Sequence, residues 1–207
     1  MQLELPFFPM PAIHSNYCGQ YVLKSVFKFL LNKEYSLDYL SKISGKFRKG
    51  YTLTIGLAYS GLKEGLKVKF ITTNSKLFSN DEVRNLQKFY ANNQLHKIQE
   101  KAAVFFKKAK KLGLDFEVRT PSLKEIISEI KKENPVVVVI DNGKIYGENK
   151  QVFHFALITG YDGNNIYFHD VGPNNPTANK RVDKKLFIEA WNAPGTDKDT
   201  LVFHNHQ

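Results

Sequence analysis

The chain has 207 residues, 42% of them hydrophobic and 24% charged. That composition belongs to a globular protein with a sizeable core and excludes a mostly disordered or fibrous chain. Its 30 Lys and Arg against 20 Asp and Glu leave a net charge of +10, which favours polyanions or acidic substrates as partners without bearing on the fold.

The first residues, through Gly19, contain no basic stretch followed by a long apolar one, so no secretory signal is expected. The lone cysteine, Cys18, cannot form an intramolecular disulfide, which fits a reducing compartment and a cytoplasmic location. A helix is predicted from about Cys18, because Val22, Leu23, Val26, Phe27, Leu30 and Leu31 recur at three- and four-residue steps. Ser15 or Asn16 is the expected N-cap. A second helix is predicted near Ser36–Ile43, a third over Thr52–Gly65, and a strand over Lys67–Thr72. Between them, Gly45–Gly50 has the glycine spacing of a phosphate loop but lacks the Lys-Ser/Thr that must follow, so it is read as a decoy.

Residues 79–112 read as helical, opened by a capping box of Ser79 with Glu82 and with a break expected at Asn92-Asn93. Ile98, Ala102, Phe105, Ala109 and Leu112 form its apolar seam, and Lys107, Lys108, Lys110 and Lys111 form a solvated basic face. A short strand, Phe116–Val118, precedes a helix from the capping box of Ser122 and Glu125 through Lys132. Pro135–Ile140 is a β-branched run suited to a strand buried on both faces. It is the longest apolar run, far short of the roughly 20 residues of a membrane-spanning helix, so no membrane span is expected.

Val152–Thr159 and Ile166–His169 flank the turn signal Tyr161–Asn165 and read as a hairpin. Pro173–Pro176 is a loop, Lys184–Trp191 a short helix and Thr200–His204 a last strand. Helices first and an antiparallel sheet after them make an α+β protein of one domain, residues 1–207.

Three residues stand out. A thiol at the first turn of a helix meets free N–H groups and a partial positive charge, both of which favour the thiolate; Cys18 is such a thiol. Gly19 beside it would leave room for a substrate carbonyl. His154 sits near the start of one hairpin strand and Asp170 near the end of the other, so pairing would bring the carboxylate beside the imidazole. That is the arrangement of a nucleophile, a base and the group that orients the base. His169 is expected on the opposite face, partly solvated. His204 and His206 lie at the chain end, and without a second cysteine or paired histidine motif no metal is expected.

With these residues the sequence resembles the papain-like cysteine peptidases, specifically the bacteriocin-processing (double-glycine leader) peptidase family and its stand-alone members. The matching pieces are Tyr17-Cys18-Gly19 opening an apolar helix, Tyr51–Leu66, Ser122–Lys132 leading into Pro135–Ile140, His154–Asp162, Ile166–Asp170 and Phe187–Trp191. They cover most of the chain and leave about residues 74–115 as a mainly helical insertion.

The resemblance implies a papain-like α+β fold and a cysteine-dependent peptidase or amide hydrolase acting through a thioester. It implies Cys18 as nucleophile, His154 as base and then acid, and Asp170 as the residue orienting His154. It also implies a peptide or protein substrate and no cofactor. The family's glutamine about six residues before the cysteine, which helps bind the oxyanion, has Ala12 in its place, leaving His14 and Asn16 as candidate donors beside the Cys18 N–H. That departure keeps a second reading open, a peptide-binding module on the same fold. A third, a basic nucleic-acid-binding protein, rests on charge alone. It is the less expected one, because 26 of the 30 cations are Lys rather than Arg.

Overall fold

In a computed structural model of the chain, residues 1–47, 50, 52–75, 77, 83 and 92–205 are described. Ser79, Glu82, His206 and residues 48, 49 and 51 of the second helix connection lie outside them. Chain order gives a 3-10 turn at Ala12–His14, then helices α1 (Cys18–Leu31), α2 (Leu37–Ser44) and α3 (Thr54–Lys63) and strand β1 (Lys67–Thr72). Next come α4 (Asn92–Lys111), β2 (Asp115–Val118), α5 (Leu123–Lys131), β3 (Val136–Asp141) and the single turn α6 (Asn142–Ile145). The chain continues through β4 (Phe153–Tyr161), β5 (Asn165–Asp170), β6 (Thr177–Asp183), α7 (Lys184–Trp191) and β7 (Thr200–His204).

The strands form one sheet in the order β2-β1-β7-β3-β4-β5-β6. All neighbours are antiparallel except β1 and β2, whose parallel pairing is allowed by the long α4 crossover between them. The β-branched run of β3 occupies the centre, with Val136, Val137, Val138 and Ile140 buried between β7 and β4. β6 was not foreseen. Its sequence, Thr-Ala-Asn-Lys-Arg-Val-Asp, is polar because the strand is a sheet edge and buries only Val182 fully. Edge strands need little apolar patterning and often carry charge.

α1 buries Val22, Leu23, Val26 and Phe27 and packs against β4, which carries its first residue to the mouth of the sheet. The expected N-cap is corrected. The capping position is Tyr17, no side chain caps the helix, and Ser15 and Asn16 are exposed upstream of it. The first-turn N–H groups therefore have no acceptor from the N-cap side chain, which suits an anion-binding helix start. α2 and α5 do carry caps, from Ser36 to the Tyr39 N–H and from the reciprocal Ser122 and Glu125 pair.

α4 packs against α3, and Ile98, Ala102, Phe105 and Ala109 join the same apolar cluster as α1 and β3. Leu112, placed by periodicity on that seam, lies beyond the helix end and is exposed. Lys107, Lys108, Lys110 and Lys111 form the exposed face. No described helix is long and apolar enough to cross a membrane.

The N-terminal segment is stitched to the sheet. The Leu3 N–H donates to the Thr159 carbonyl at 2.6 Å and the Met10 N–H to the Val171 carbonyl at 3.1 Å. His169 holds the middle, with Nε2 2.9 Å from the Leu5 carbonyl and Nδ1 accepting from the Asn179 N–H at 3.2 Å. The expectation of a partly solvated His169 is thus corrected: it is 1% exposed, because it bridges two backbone segments across the sheet.

Candidate active site

Cys18 is the first residue of α1, half-buried, with its thiol facing His154 and the backbone N–H groups of Phe155 and Gly19. Burial pushes the thiol upward. The hydrogen bond and positive charge of His154, with the two N–H groups, outweigh that and leave its pKa below the ordinary value. Gly19 is not an opening for substrate. A Cβ there would meet Leu57 at 3.1 Å and the Phe155 ring at 3.3 Å, so its smallness lets α1 dock on α3 and β4.

His154 is the second residue of β4, and Asp170 is the last of β5. The register Leu157 opposite His169 places Asp170 across from Ala156, one diagonal step from His154 on the same strand face. The hairpin thus brings together the two residues expected from sequence. His154 Nε2 lies 3.3 Å from Asp170 Oδ1, close enough for an ion pair without the alignment of a regular hydrogen bond. With Nε2 turned to the carboxylate, Nδ1 is the nitrogen left for Cys18. Burial alone would lower the imidazole pKa; Asp170 and the Cys18 thiolate overcome it and raise it to about 10.

Asp170 is 1% exposed and is held from three sides. Besides His154, it accepts from the Tyr146 hydroxyl at Oδ2, 2.6 Å, and from the Gly172 N–H at Oδ1, 3.0 Å. Burial pushes its pKa up, but these partners, His154 foremost, bring it down to about 2. A Cβ on Gly172 would sit 3.0 Å from that same Oδ1, so the close N–H contact favours glycine.

Sequence reasoning missed Tyr146 and the device that presents it. Asp141, at the end of β3, accepts from the Gly143 N–H at 3.1 Å and from the Val152 N–H at 2.9 Å. It thereby pins both ends of the β3–β4 connection and sets α6, which delivers Tyr146 to Asp170. The Asp141-Asn142-Gly143 string is a turn signal that could have exposed the pin; nothing in the sequence marks the tyrosine. Lys180 Nζ covers the Tyr146 ring, 3.9 Å from its centroid.

The two oxyanion candidates differ. His14 is held, Nδ1 2.9 Å from the Tyr21 hydroxyl and the ring 5.1 Å from that of Tyr17, leaving Nε2 unengaged by either contact. Asn16 is exposed and makes no side-chain hydrogen bond among the described residues. Ala12, where the glutamine would stand, opens the 3-10 turn. No group of three or more His, Cys, Asp or Glu side chains is clustered to hold a metal among the described residues.

Comparison with known proteins gives a consistent picture. A family model described as the Peptidase_C39 like family matches residues 52–198, which includes His154 and Asp170 and begins after Cys18. The fold is similar to the crystal structure of the peptidase domain of Streptococcus ComA, a bifunctional ABC transporter involved in quorum sensing. TM-score is 0.54 and identity 17%, over 97% of this chain and 100% of that one. It is also similar to a double glycine motif protease from an AMS/PCAT transporter in complex with the leader peptide. There TM-score is 0.52 and identity 13%, over 99% of this chain and 94% of that one. No curated protein matches the chain in sequence.

Proposed function

The chain belongs to the Peptidase_C39 like family, and on that premise we propose that it is a cysteine peptidase whose working residues are Cys18, His154 and Asp170. The observation that carries this reading is one buried imidazole facing a carboxylate at 3.3 Å on one side and the only thiol of the chain on the other. The lowered thiol pKa and the imidazole raised to about 10 both favour the charged pair, thiolate beside imidazolium.

In the proposed reaction the Cys18 thiolate attacks the carbonyl carbon of a peptide amide. The oxyanion forms at the start of α1, where the Cys18 N–H is free, with His14 the better supported of the two side-chain donors because it is held in place. As the C–N bond breaks, His154 gives its proton to the leaving amine, and a thioester remains on Cys18. His154, now neutral, takes a proton from water, whose hydroxide attacks the thioester and releases the acid. Asp170 keeps the ring turned and stabilises the imidazolium. An amine in place of water would make the same intermediate a transferase. The double glycine motif protease named above was captured with a leader peptide, which supports a peptide or protein substrate here.

The alternative is a peptide-binding module, favoured by Ala12 where the amide donor would stand. The deciding measurement is the rate of Cys18 alkylation by iodoacetamide between pH 4 and 10, in wild type and His154→Ala. An activated pair gives an inflection well below the ordinary thiol value of about 8.5, moved upward by the substitution. One inflection near 8.5 in both proteins would favour the binding module.

A further inference from the structure

We infer that Lys46 is a specificity residue that binds an anionic group of the substrate, a carboxylate, next to the amide that Cys18 attacks. This rests on the peptidase reading above. The Lys46 ammonium sits 4.1 Å from the centroid of the Tyr17 ring, and Tyr17 is the residue that precedes Cys18 at the N-cap of α1. It donates to the carbonyls of Phe47 at 3.2 Å and Gly50 at 2.9 Å. An ammonium has three donors, so one remains. No carboxylate pairs with Lys46 among the described residues, whereas Lys28, Lys69 and Lys132 each have a glutamate partner.

The placement is built rather than incidental. Gln20, fully buried two residues after Cys18, donates its amide to the Ser44 hydroxyl at 2.8 Å and to the Thr52 hydroxyl at 2.7 Å. One side chain of α1 therefore fixes both ends of the α2–α3 connection, on which Lys46 lies, against the helix that carries the thiol. Half-buried beside Tyr17, the ammonium is pulled downward in pKa by desolvation and upward by the charge of Cys18, so the two groups lie in each other's field. A cation partly removed from water, with two carbonyls and a ring but no carboxylate partner among the described residues, is stabilised by an incoming anion more than an exposed lysine would be. Its single free donor and compact charge suit one carboxylate oxygen rather than the two-point grip of an arginine.

The test compares alkylation of Cys18 by iodoacetate, which carries a carboxylate, with alkylation by neutral iodoacetamide. His154 also attracts the anionic reagent, so the decisive quantity is how the ratio of the two rates depends on Lys46. Any change in thiolate character alters both rates and cancels from that ratio. A unit charge several Å away, in an environment between protein and water, gives about a threefold to tenfold effect. The ratio is expected to fall by that factor in Lys46→Gln and in Lys46→Met, which removes the charge but keeps an unbranched side chain, and to survive in Lys46→Arg. A ratio equal to wild type in Lys46→Gln and Lys46→Met overturns the inference. The iodoacetamide rate and its dependence on His154 report separately on the peptidase reading, so the two failures are distinguishable. The source of the carboxylate is read by protection of Cys18 with acetyl-Gly-Gly-Glu-amide, with acetyl-triglycine bearing a free C-terminus, and with its amide as the neutral control. A side-chain acid is favoured if the first protects better, a chain terminus if the second does.

Discussion

Replacing Tyr146 by Phe removes a single oxygen and leaves the ring on which Lys180 stacks, so it isolates the 2.6 Å hydrogen bond to Asp170. The lowering of the Asp170 pKa from 3.8 to about 2 corresponds to about 2.5 kcal/mol of preference for the folded carboxylate. Three donors share that preference, with His154 the largest, and hydrogen bonds to charged groups contribute about 1.5–3 kcal/mol. Tyr146→Phe should therefore destabilise the protein by about 1–2 kcal/mol at pH 7, a fall in melting temperature of roughly 2–8 °C for a chain of this size.

The pH dependence carries the sharper signature. Asp170 is a group whose folded pKa is depressed, so its stabilisation is complete above pH 4 and is lost as pH falls through about 2. In Tyr146→Phe the folded pKa moves back toward the ordinary value. The stability gap between the two proteins should be constant from pH 5 to 7 and shrink below pH 4, as followed by urea denaturation. Because Asp170 remains ionised at pH 7 in the variant, Cys18 alkylation there should change by less than about threefold. A gap that stays constant down to pH 2, or no gap at pH 7, would show that the hydroxyl does not stabilise the carboxylate.

Two other substitutions probe features of equal definition. His169→Leu removes both partners of a buried bridge and strands the Leu5 carbonyl and the Asn179 N–H; the expected loss is about 2–4 kcal/mol, with hydrogen exchange of the Asn179 amide accelerating in step. Stability and exchange matching wild type would mean that the other contacts of the N-terminal segment, from Met1, Leu3 and Met10, hold it without the His169 bridge. For the oxyanion, binding of a peptide ending in glycinal, which forms a hemithioacetal on Cys18, should weaken by on the order of 100-fold in His14→Ala and stay within about twofold in Asn16→Ala. Equal effects in the two variants would remove the distinction drawn between them.

Most of the fold was legible because its elements are locally consistent. The three- and four-residue stripe of α1, the Ser122 capping box and the β-branched run of β3 each state a preference that packing then satisfies. What escaped was structure specified by position instead of pattern. β6 is polar because only one of its neighbours is a strand, and α6 is a single turn set by one aspartate. The α1 cap was misplaced for a related reason. Ser15 and Asn16 are good capping residues, but the N-cap falls at Tyr17, one residue beyond Asn16, and its side chain does not cap the helix.

The same division runs through the site. His154 and Asp170 could be paired from sequence because a hairpin converts spacing into proximity: a strand on each side of a short turn fixes which residues face each other, to within one diagonal step. Cys18 could be placed because a helix start is written locally in the sequence. Tyr146, Lys46 and Gln20 could not, since each acts through a contact between connections whose course no periodicity encodes. In the proposed reading, those three bear on the chemistry. Tyr146 holds the carboxylate that faces the imidazole, and Gln20 fixes the connection that sets Lys46 over the Tyr17 ring, next in sequence to the thiol. On the proposed reading, the triad bears on the reaction and the parts no motif records bear on the substrate. Tyr146→Phe and Lys46→Met separate these two levels, one acting on stability and the acid limb, the other on the charge preference of Cys18.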